Sequence, residues 1–457
     1  MHYWDAFLAF VVAALVAALL TPLAGRLAWR VNAIAYPSER GLSRKPMPQL
    51  GGLAILAGVL IATLLWMPST IKLELIPHAK PGSAGVVHTW GLIGGACLIA
   101  LVGAVDDAVN LPPIVKLLGQ IAAALVAEHS GVAIGDLTIP FLGSFQFPGG
   151  GGALAVIWLV ALMNIVNFSD GVDGLAAGVC AIDGIAFAII TFSLQGGSSA
   201  AALLPAIAAG ASLGFLVHNF YPASSFMGDV GSNLLGYLIG CAAVIGSIKT
   251  NAVIALVLPL LVLAVPFLDT GFVVAKRLKY GRKPWSADAE HFHHRMARIG
   301  FSPRKTVIYL YAWTVMLAAL ALALHFVPYS RHVEVNHHWL HKWNALWLVV
   351  MIGVLLAVAM ASIYLVYVLE IFKFRGLRAR QMRSADPATS EYQIDQSVEH
   401  ELDTGEWETV ADAARDPGLG RDGELVRGLM TRFIRRDSGI AASSKRDGGD
   451  GEQSDRK

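Results

Sequence analysis

Cysteine and charge are the two things this 457-residue chain has little of. Its three cysteines, Cys97, Cys180 and Cys241, are odd in number and all sit in apolar runs, which excludes a disulfide framework and leaves buried thiols. Charged residues make up only 15% of the chain against 55% hydrophobic, and the mean hydropathy is +0.57, more apolar than a soluble domain of this length requires. The expected solvent is a bilayer, and a nucleic-acid partner is not expected. The opening MHYWDAFLAF has an acid ahead of its apolar run, no basic stretch and no small-residue cleavage site, so a retained first helix is expected and not a cleaved leader. No internal repeat is present.

What the chain does have is apolar stretches long enough to cross ~30 Å of hydrocarbon. They fall near 4–24, 50–68, 87–105, 114–130, 151–167, 175–194, 198–217, 231–247, 252–275, 306–326 and 344–368, which predicts an all-α polytopic membrane protein of about eleven helices. Up to Lys373, one set of loops holds Lys72, Lys80, Lys249, Arg331 and Lys342, and the alternate set holds the other sixteen Lys and Arg. That bias predicts an N-terminus outside and a C-terminus in the cytoplasm of a plasma (inner) membrane protein.

Between the fourth and fifth stretches, VAIGDLTIPFLGSFQF alternates and reads as a short external β-hairpin. The ninth stretch carries Pro259, Pro266 and a lone Asp269, so a broken helix is expected there. From Phe374 onward 14 basic and 17 acidic residues fall among 84 with hardly any apolar periodicity, dividing the chain into a transmembrane catalytic domain, 1–373, and a mostly disordered cytoplasmic tail, 374–457. Within the tail, RDGELVRGLMTRFIRR reads either as a helix on an anionic membrane surface or as a solvated short helix.

Four polar clusters then share the cytoplasmic side. In LVGAVDDAVN, Asp106 and Asp107 meet the negative end of a helix dipole and repel one another, so a cation or proton is expected beside them; the plain alternative is a solvated helix terminus. Lys116 either reaches back to that pocket or snorkels at the interface. MNIVNFSDGVDGLAAGV places Asn164, Asn167, Asp170 and Asp173 three apart, along one face of any helical continuation. Such a density of hard oxygens suits Mg2+, and the alternative is that an aspartate merely caps the next helix.

In SSFMGDVGSNLLG, Asp229 just before an apolar run reads as an N-cap, the helix start favours an anion, and Phe226 offers an aromatic face to a base. In KPWSADAEHFHHRMARIGFSPRK, His291, His293, His294 and Arg295 lie among other cations in a loop suited to a diphosphate. Zinc is the rival there, opposed by the positive surroundings and the lack of a nearby cysteine. A second histidine group, His325, His332, His337, His338 and His341, falls on the other side and reads as a wet interfacial loop.

Taken in order, VDDAVNLPPIVK, NIVNFSDGVDGLA, FMGDVGSN and DAEHFHHRM resemble the polyprenyl-phosphate N-acetylhexosamine-1-phosphate transferases over roughly residues 20–310. The HFHH loop resembles the branch that transfers GlcNAc 1-phosphate from UDP-GlcNAc more than the phospho-MurNAc-pentapeptide branch. The resemblance implies Mg2+, with Mn2+ as a substitute, held by Asp229 and Asn167, and Asp106, Asp107 and Asp170 as the catalytic acids. It places Asp173 and Phe226 on the uracil, Lys116 and His291 to Arg295 on the diphosphate or sugar, and Asn164 and Asn219 in the substrate-binding set. It also implies a polyprenyl phosphate acceptor and, as in many members, a homodimer. One departure is SERGLSRKPMPQLGG, where the family carries a basic residue and a histidine before its proline and glycines; Arg40, Arg44 and Lys45 are expected to supply that charge. A secondary transporter is the reading from another class, but it would place its acids near the midplane, as only Asp269 is placed.

Overall fold

The computed structural model describes residues 4–36, 46–72, 86–134, 136–139, 143–146, 151–194, 200–247, 303–326, 330–335 and 338–343, with seven positions between 349 and 360. The chain divides into Met1–Ile371 and Phe372–Lys457, and every described residue lies in the first part.

Nine helices are described: α1 (Asp5–Arg30), α2 (Gly52–Trp66), α3 (Thr89–Val109), α4 (Pro113–His129), α5 (Gly152–Ser169), α6 (Leu175–Leu194), α7 (Leu203–Asn219), α8 (Gly228–Ser247) and α9 (Pro303–Phe326). Among the described residues, seven helical spans are long and apolar enough to cross a membrane; α2 with 15 residues and α4 with 17 are shorter. The nine helices fall on nine of the eleven apolar stretches. The stretch 252–275, with Asp269 and its prolines, lies outside the described residues, as do most of 344–368, the loop around Arg40 to Lys45 and the tail.

The strands are four isolated antiparallel pairs: β1 (Ile34–Ala35) with β2 (Met47–Pro48), β3 (Thr70–Lys72) with β4 (Val86–His88), β5 (Asp136–Ile139) with β6 (Gly143–Gln146), and β7 (Ser330–Val335) with β8 (His338–Trp343). The β5–β6 pair lies in the alternating stretch before α5. The pair β7–β8 sets His332 opposite His341.

Packing follows side-chain size. On α1 the buried residues Ala9, Ala13, Ala17, Thr21, Ala24 and Ala28 form a narrow strip of small side chains, and Leu8, Leu15, Leu19, Leu23 and Leu27 are exposed around it. In lipid, where apolar side chains gain little by leaving the solvent, such a strip brings helices together by letting their backbones approach. It faces α7 and α2. At the centre stands α8, buried along almost its whole length and packed on α3, α5, α6 and α2. Its one bulky polar side chain, Tyr237, is fully buried and donates its hydroxyl to Leu92 O at 3.1 Å, so no polar atom is stranded there.

The start of α8 is seated by backbone contact. Phe226 N donates to Pro48 O, Gly51 N to Phe226 O and Gly52 N to Met227 O, at 2.8, 3.0 and 2.9 Å, so the entry to α2 runs beside the entry to α8. On the other side Gly103 of α3 faces the same turn, where a Cβ would stand 2.5 Å from Val230 N and 2.6 Å from Asp229 C. Gly103→Ala is therefore expected to push α3 and α8 apart and to lower stability by about 1–3 kcal/mol. The check is the thermal midpoint of the purified variant; an unshifted midpoint would mean the two helices separate freely.

Candidate active site

Helix ends carry the polar residues to one end of the bundle: the C-termini of α3, α5 and α7 and the N-termini of α4, α6 and α8. The α3 helix runs through Asp106 and Asp107 and stops at Asn110, whose left-handed φ of 54° ends it. Pro113 then opens α4, since a first-turn proline forfeits no intrahelical bond. This tight LPP connection sets Lys116 back over the acids.

Lys116 Nζ contacts Asp106 Oδ2 and lies 3.0 Å from Asp229 Oδ2, so of its two sequence readings the pocket is the one the structure takes. Asp106, 5% exposed, also accepts from Leu111 N at 2.7 Å. Asn167 on α5 donates its Nδ2 to Asp229 Oδ1 at 2.8 Å and to Ser232 Oγ at 2.9 Å. Asp229, Asp106, Lys116 and Asn167 thus form one bonded group across α3, α4, α5 and α8.

The N-cap reading of Asp229 is overturned. Asp229 lies within the first turn of α8, and its carboxylate is taken by Lys116 and Asn167. The cap is Asp107, reaching across from α3: its Oδ1 accepts from Asp229 N at 2.9 Å and its Oδ2 from Val230 N at 3.2 Å. Those two amides are consequently not open to an anion, which corrects the expectation of free N–H groups at this helix start. A carboxylate there also meets the positive end of the helix dipole.

Helix α5 ends at Ser169, so the three-residue spacing places Asn164 and Asn167 on one helical face, Asp170 at the C-cap and Asp173 in the following turn, off that face. Asp170 is pushed well above the usual carboxylate range, first by burial and then by the charges of Asp229, Asp107 and Asp173. Burial also raises Asp173, against the opposing Ala223 N–H, which donates to its Oδ2 at 2.9 Å. That bond ties the Asp173 turn to the loop carrying Phe226, a half-buried ring held by its backbone to Pro48 and Gly51.

Asn219, 1% exposed, is a brace between these loops: Oδ1 accepts from Gly174 N at 3.0 Å and Nδ2 donates to Ser225 O at 3.0 Å. Tyr311 of α9 donates its hydroxyl to Gly174 O, so α9 also grips this turn. His291, His293, His294 and Arg295 lie outside the described residues.

Three members of the network escaped the sequence reading. Ser232, Gln120 and Asn233 are buried and hydrogen-bonded to Asn167, Asn164 and the Asp229 carbonyl. The signal for two of them was periodicity, for Gln120 lies one helical turn past Lys116 and Asn233 one turn past Asp229.

Chemically, the site offers five carboxylates and the oxygens of two asparagines, with Lys116 the cation that the described acids bond. Among the described residues no three acids or histidines stand close enough to cage a metal alone. Carboxylate and amide oxygens are of the hard donor type that Mg2+ takes, with waters and phosphates completing its shell.

Residues 89–247, from the start of α3 to the end of α8, match the glycosyl transferase family 4. The chain is 34% identical over 318 residues to a probable undecaprenyl-phosphate N-acetylglucosaminyl 1-phosphate transferase of Bacillus subtilis (strain 168), covering 69% of this chain and 84% of that one. It is 38% identical over 312 residues to a decaprenyl-phosphate N-acetylglucosaminephosphotransferase of Mycolicibacterium smegmatis, covering 64% and 75%. With a phospho-N-acetylmuramoyl-pentapeptide-transferase of Moorella thermoacetica it shares 30% over 303 residues, covering 62% and 86%. The matched segment contains Asp106, Asp107, Lys116, Asn167, Asp173 and Asp229, and the chain belongs to glycosyl transferase family 4.

Proposed function

We propose that this chain transfers GlcNAc 1-phosphate from UDP-GlcNAc to a polyprenyl phosphate at the cytoplasmic face of the membrane, releasing UMP. The observation that carries the reading is the bonded group of Asp106, Lys116, Asn167 and Asp229, mounted on four helix ends at one end of an apolar bundle. It joins acids able to neutralise a cation with a lysine able to meet a phosphate, within reach of a lipid acceptor. The names of the Bacillus and Mycolicibacterium relatives point the same way, and the loop bias in Lys and Arg supports the cytoplasmic side.

Asp229 and Asn167 would hold Mg2+, or Mn2+ in its place. When bound, the ion supplies charge neutralisation on the diphosphate oxygens. Lys116 meets the same oxygens as a point charge, and Asp173 and Phe226 hold the uracil between the two loops that Asn219 braces. Phosphoryl transfer to a phosphate needs alignment and charge neutralisation more than a strong base, and a lipid phosphate is already mostly dianionic at neutral pH. The acceptor oxygen attacks the β-phosphorus, that P–O bond forms as the bond to UMP breaks, and no net proton is taken up.

The test is UMP release by the purified protein from UDP-GlcNAc with polyprenyl phosphate and Mg2+, with UDP-MurNAc-pentapeptide as a second donor. Turnover that needs lipid, metal and UDP-GlcNAc together is expected. Turnover with the pentapeptide donor alone would move the chain to the branch of the Moorella relative, and no UMP from any UDP-sugar would refute the reading.

A further inference from the structure

Three carboxamides, two buried and Asn164 half-buried, run head to tail beneath the site. Asn233 Nδ2 donates to Asp229 O at 2.8 Å, Gln120 Nε2 to Asn233 Oδ1 at 2.8 Å, and Asn164 Nδ2 to Gln120 Oε1 at 2.7 Å and to Val160 O at 2.8 Å. Gln120 and Asn233 are each 5% exposed. The run is closed at both ends by backbone carbonyls, which can only accept. Its direction therefore has one solution. Asn233 must turn its nitrogen to Asp229 O, which leaves its oxygen for Gln120. Gln120 must then turn its own oxygen to Asn164, and Asn164 spends both N–H groups on Gln120 and Val160. The atom of Asn164 left without a bond among the described residues is Oδ1, an acceptor.

Asn167, one helical turn along α5, is fixed in the same sense, with its nitrogen spent on Asp229 and Ser232. The two asparagines thus have only oxygens to offer, next to an acidic centre.

We infer that Gln120, oriented by Asn233, is a positioning residue that fixes Asn164 as an acceptor, so that this corner of the site takes an electropositive group and not a phosphate oxygen. The group is either an N–H or O–H of the nucleotide sugar or a divalent cation; both meet an acceptor oxygen, and they come from different sources. Without Gln120, the Val160 carbonyl alone holds the Asn164 amide in this sense, one bond in place of two, and the amide rotates half a turn to present N–H more readily. An amide donor facing an electropositive partner repels it, so one well-made hydrogen bond is lost and the neighbouring charge is left unmet. Gln120 itself has no need to touch a ligand. The inference rests on the proposed transferase reading for its kinetic arm only.

The experiment compares wild type, Gln120→Met, Asn164→Ala and the double variant. Methionine keeps the length and removes both the donor and the acceptor. Gln120→Met should raise KM for UDP-GlcNAc, or the Mg2+ concentration for half-saturation, about tenfold, with kcat changed less than about threefold. A shift in the first identifies the sugar nucleotide as the source, and a shift in the second identifies the cation. Adding Gln120→Met to Asn164→Ala should then change nothing further, because the effect runs through Asn164. The binding arm needs no turnover: the rise in thermal midpoint on adding UDP-GlcNAc, or MgCl2 alone, to purified protein should shrink in Gln120→Met as it does in Asn164→Ala. Multiplicative effects in the double variant, or a Gln120→Met protein whose ligand-induced shifts and KM match wild type, would overturn the inference. An inactive wild type whose shifts still shrink in Gln120→Met would overturn the proposed reaction and leave the positioning role standing.

Discussion

Asp229→Ala should lower UMP release by about 100- to 1000-fold, the size seen when a single preorganised electrostatic partner is removed from a reacting centre. The expectation comes from the number of roles that converge on one carboxylate. Asp229 accepts from Asn167 at 2.8 Å and from Lys116 at 3.0 Å, and Lys116 bonds Asp106 from its other side. Removing it leaves Asp106 and Lys116 as a closed ion pair, so the lysine is no longer shared toward the substrate position, and Asn167 loses one of the two bonds that orient its oxygen. The fold should survive, because α8 is capped by Asp107 and not by Asp229. The measurement is kcat at saturating Mg2+ alongside the thermal midpoint. More than about a tenth of wild-type turnover in a folded Asp229→Ala protein would mean the metal and diphosphate are held elsewhere, for that exceeds what a residue worth several kcal/mol would leave.

The contrast between Asp229 and Asp107 shows where sequence reasoning reached and where it stopped. Polar residues in a chain this apolar are conspicuous, and every described candidate, from Asp106 to Asp229, does sit at one end of the bundle. Their division of labour was not legible. An acid at the start of an apolar run fits the local rule for an N-cap, and the rule knows only neighbours in sequence. The cap that fills the position comes from 122 residues earlier, brought there because Gly103 lets α3 lie against the first turn of α8. Helix ends were likewise misplaced for a physical reason. Hydropathy falls at the first aspartates, whereas α3 persists through them to Val109 because their oxygens find Lys116, Leu111 N and the α8 amides. Gln120 and Asn233 left only their helical spacing from Lys116 and Asp229 as a signal, since a lone uncharged amide inside a good helix carries no charge to mark it.

Asp107→Asn should retain measurable turnover, reduced about 10- to 100-fold, and this separates the two possible chemistries of transfer. In a covalent scheme a carboxylate oxygen attacks the β-phosphorus, UMP leaves, and the lipid phosphate then displaces the aspartate. Asp107 could serve only by releasing the amides of Asp229 and Val230, which uncaps α8 at a cost of about 0.5–2 kcal/mol and displaces the turn that carries Asp229. A group whose two oxygens hold the site together is poorly suited to leave it in every cycle. In direct attack by the lipid phosphate, Asp107 acts by holding α8, and asparagine does part of that work: its oxygen still accepts one of the two N–H bonds, while its nitrogen, a donor, leaves the other N–H unpaired. The loss should therefore fall mainly on geometry and on the charge opposite the helix dipole, worth about 0.3–1 kcal/mol or somewhat more where buried. Wild-type protein incubated with UDP-GlcNAc radiolabelled at the β-phosphate, without lipid, should carry no acid-stable label on the chain. Background activity in Asp107→Asn together with labelled wild-type protein would instead assign the nucleophile to Asp107, and would require the cap seen here to open during each turnover.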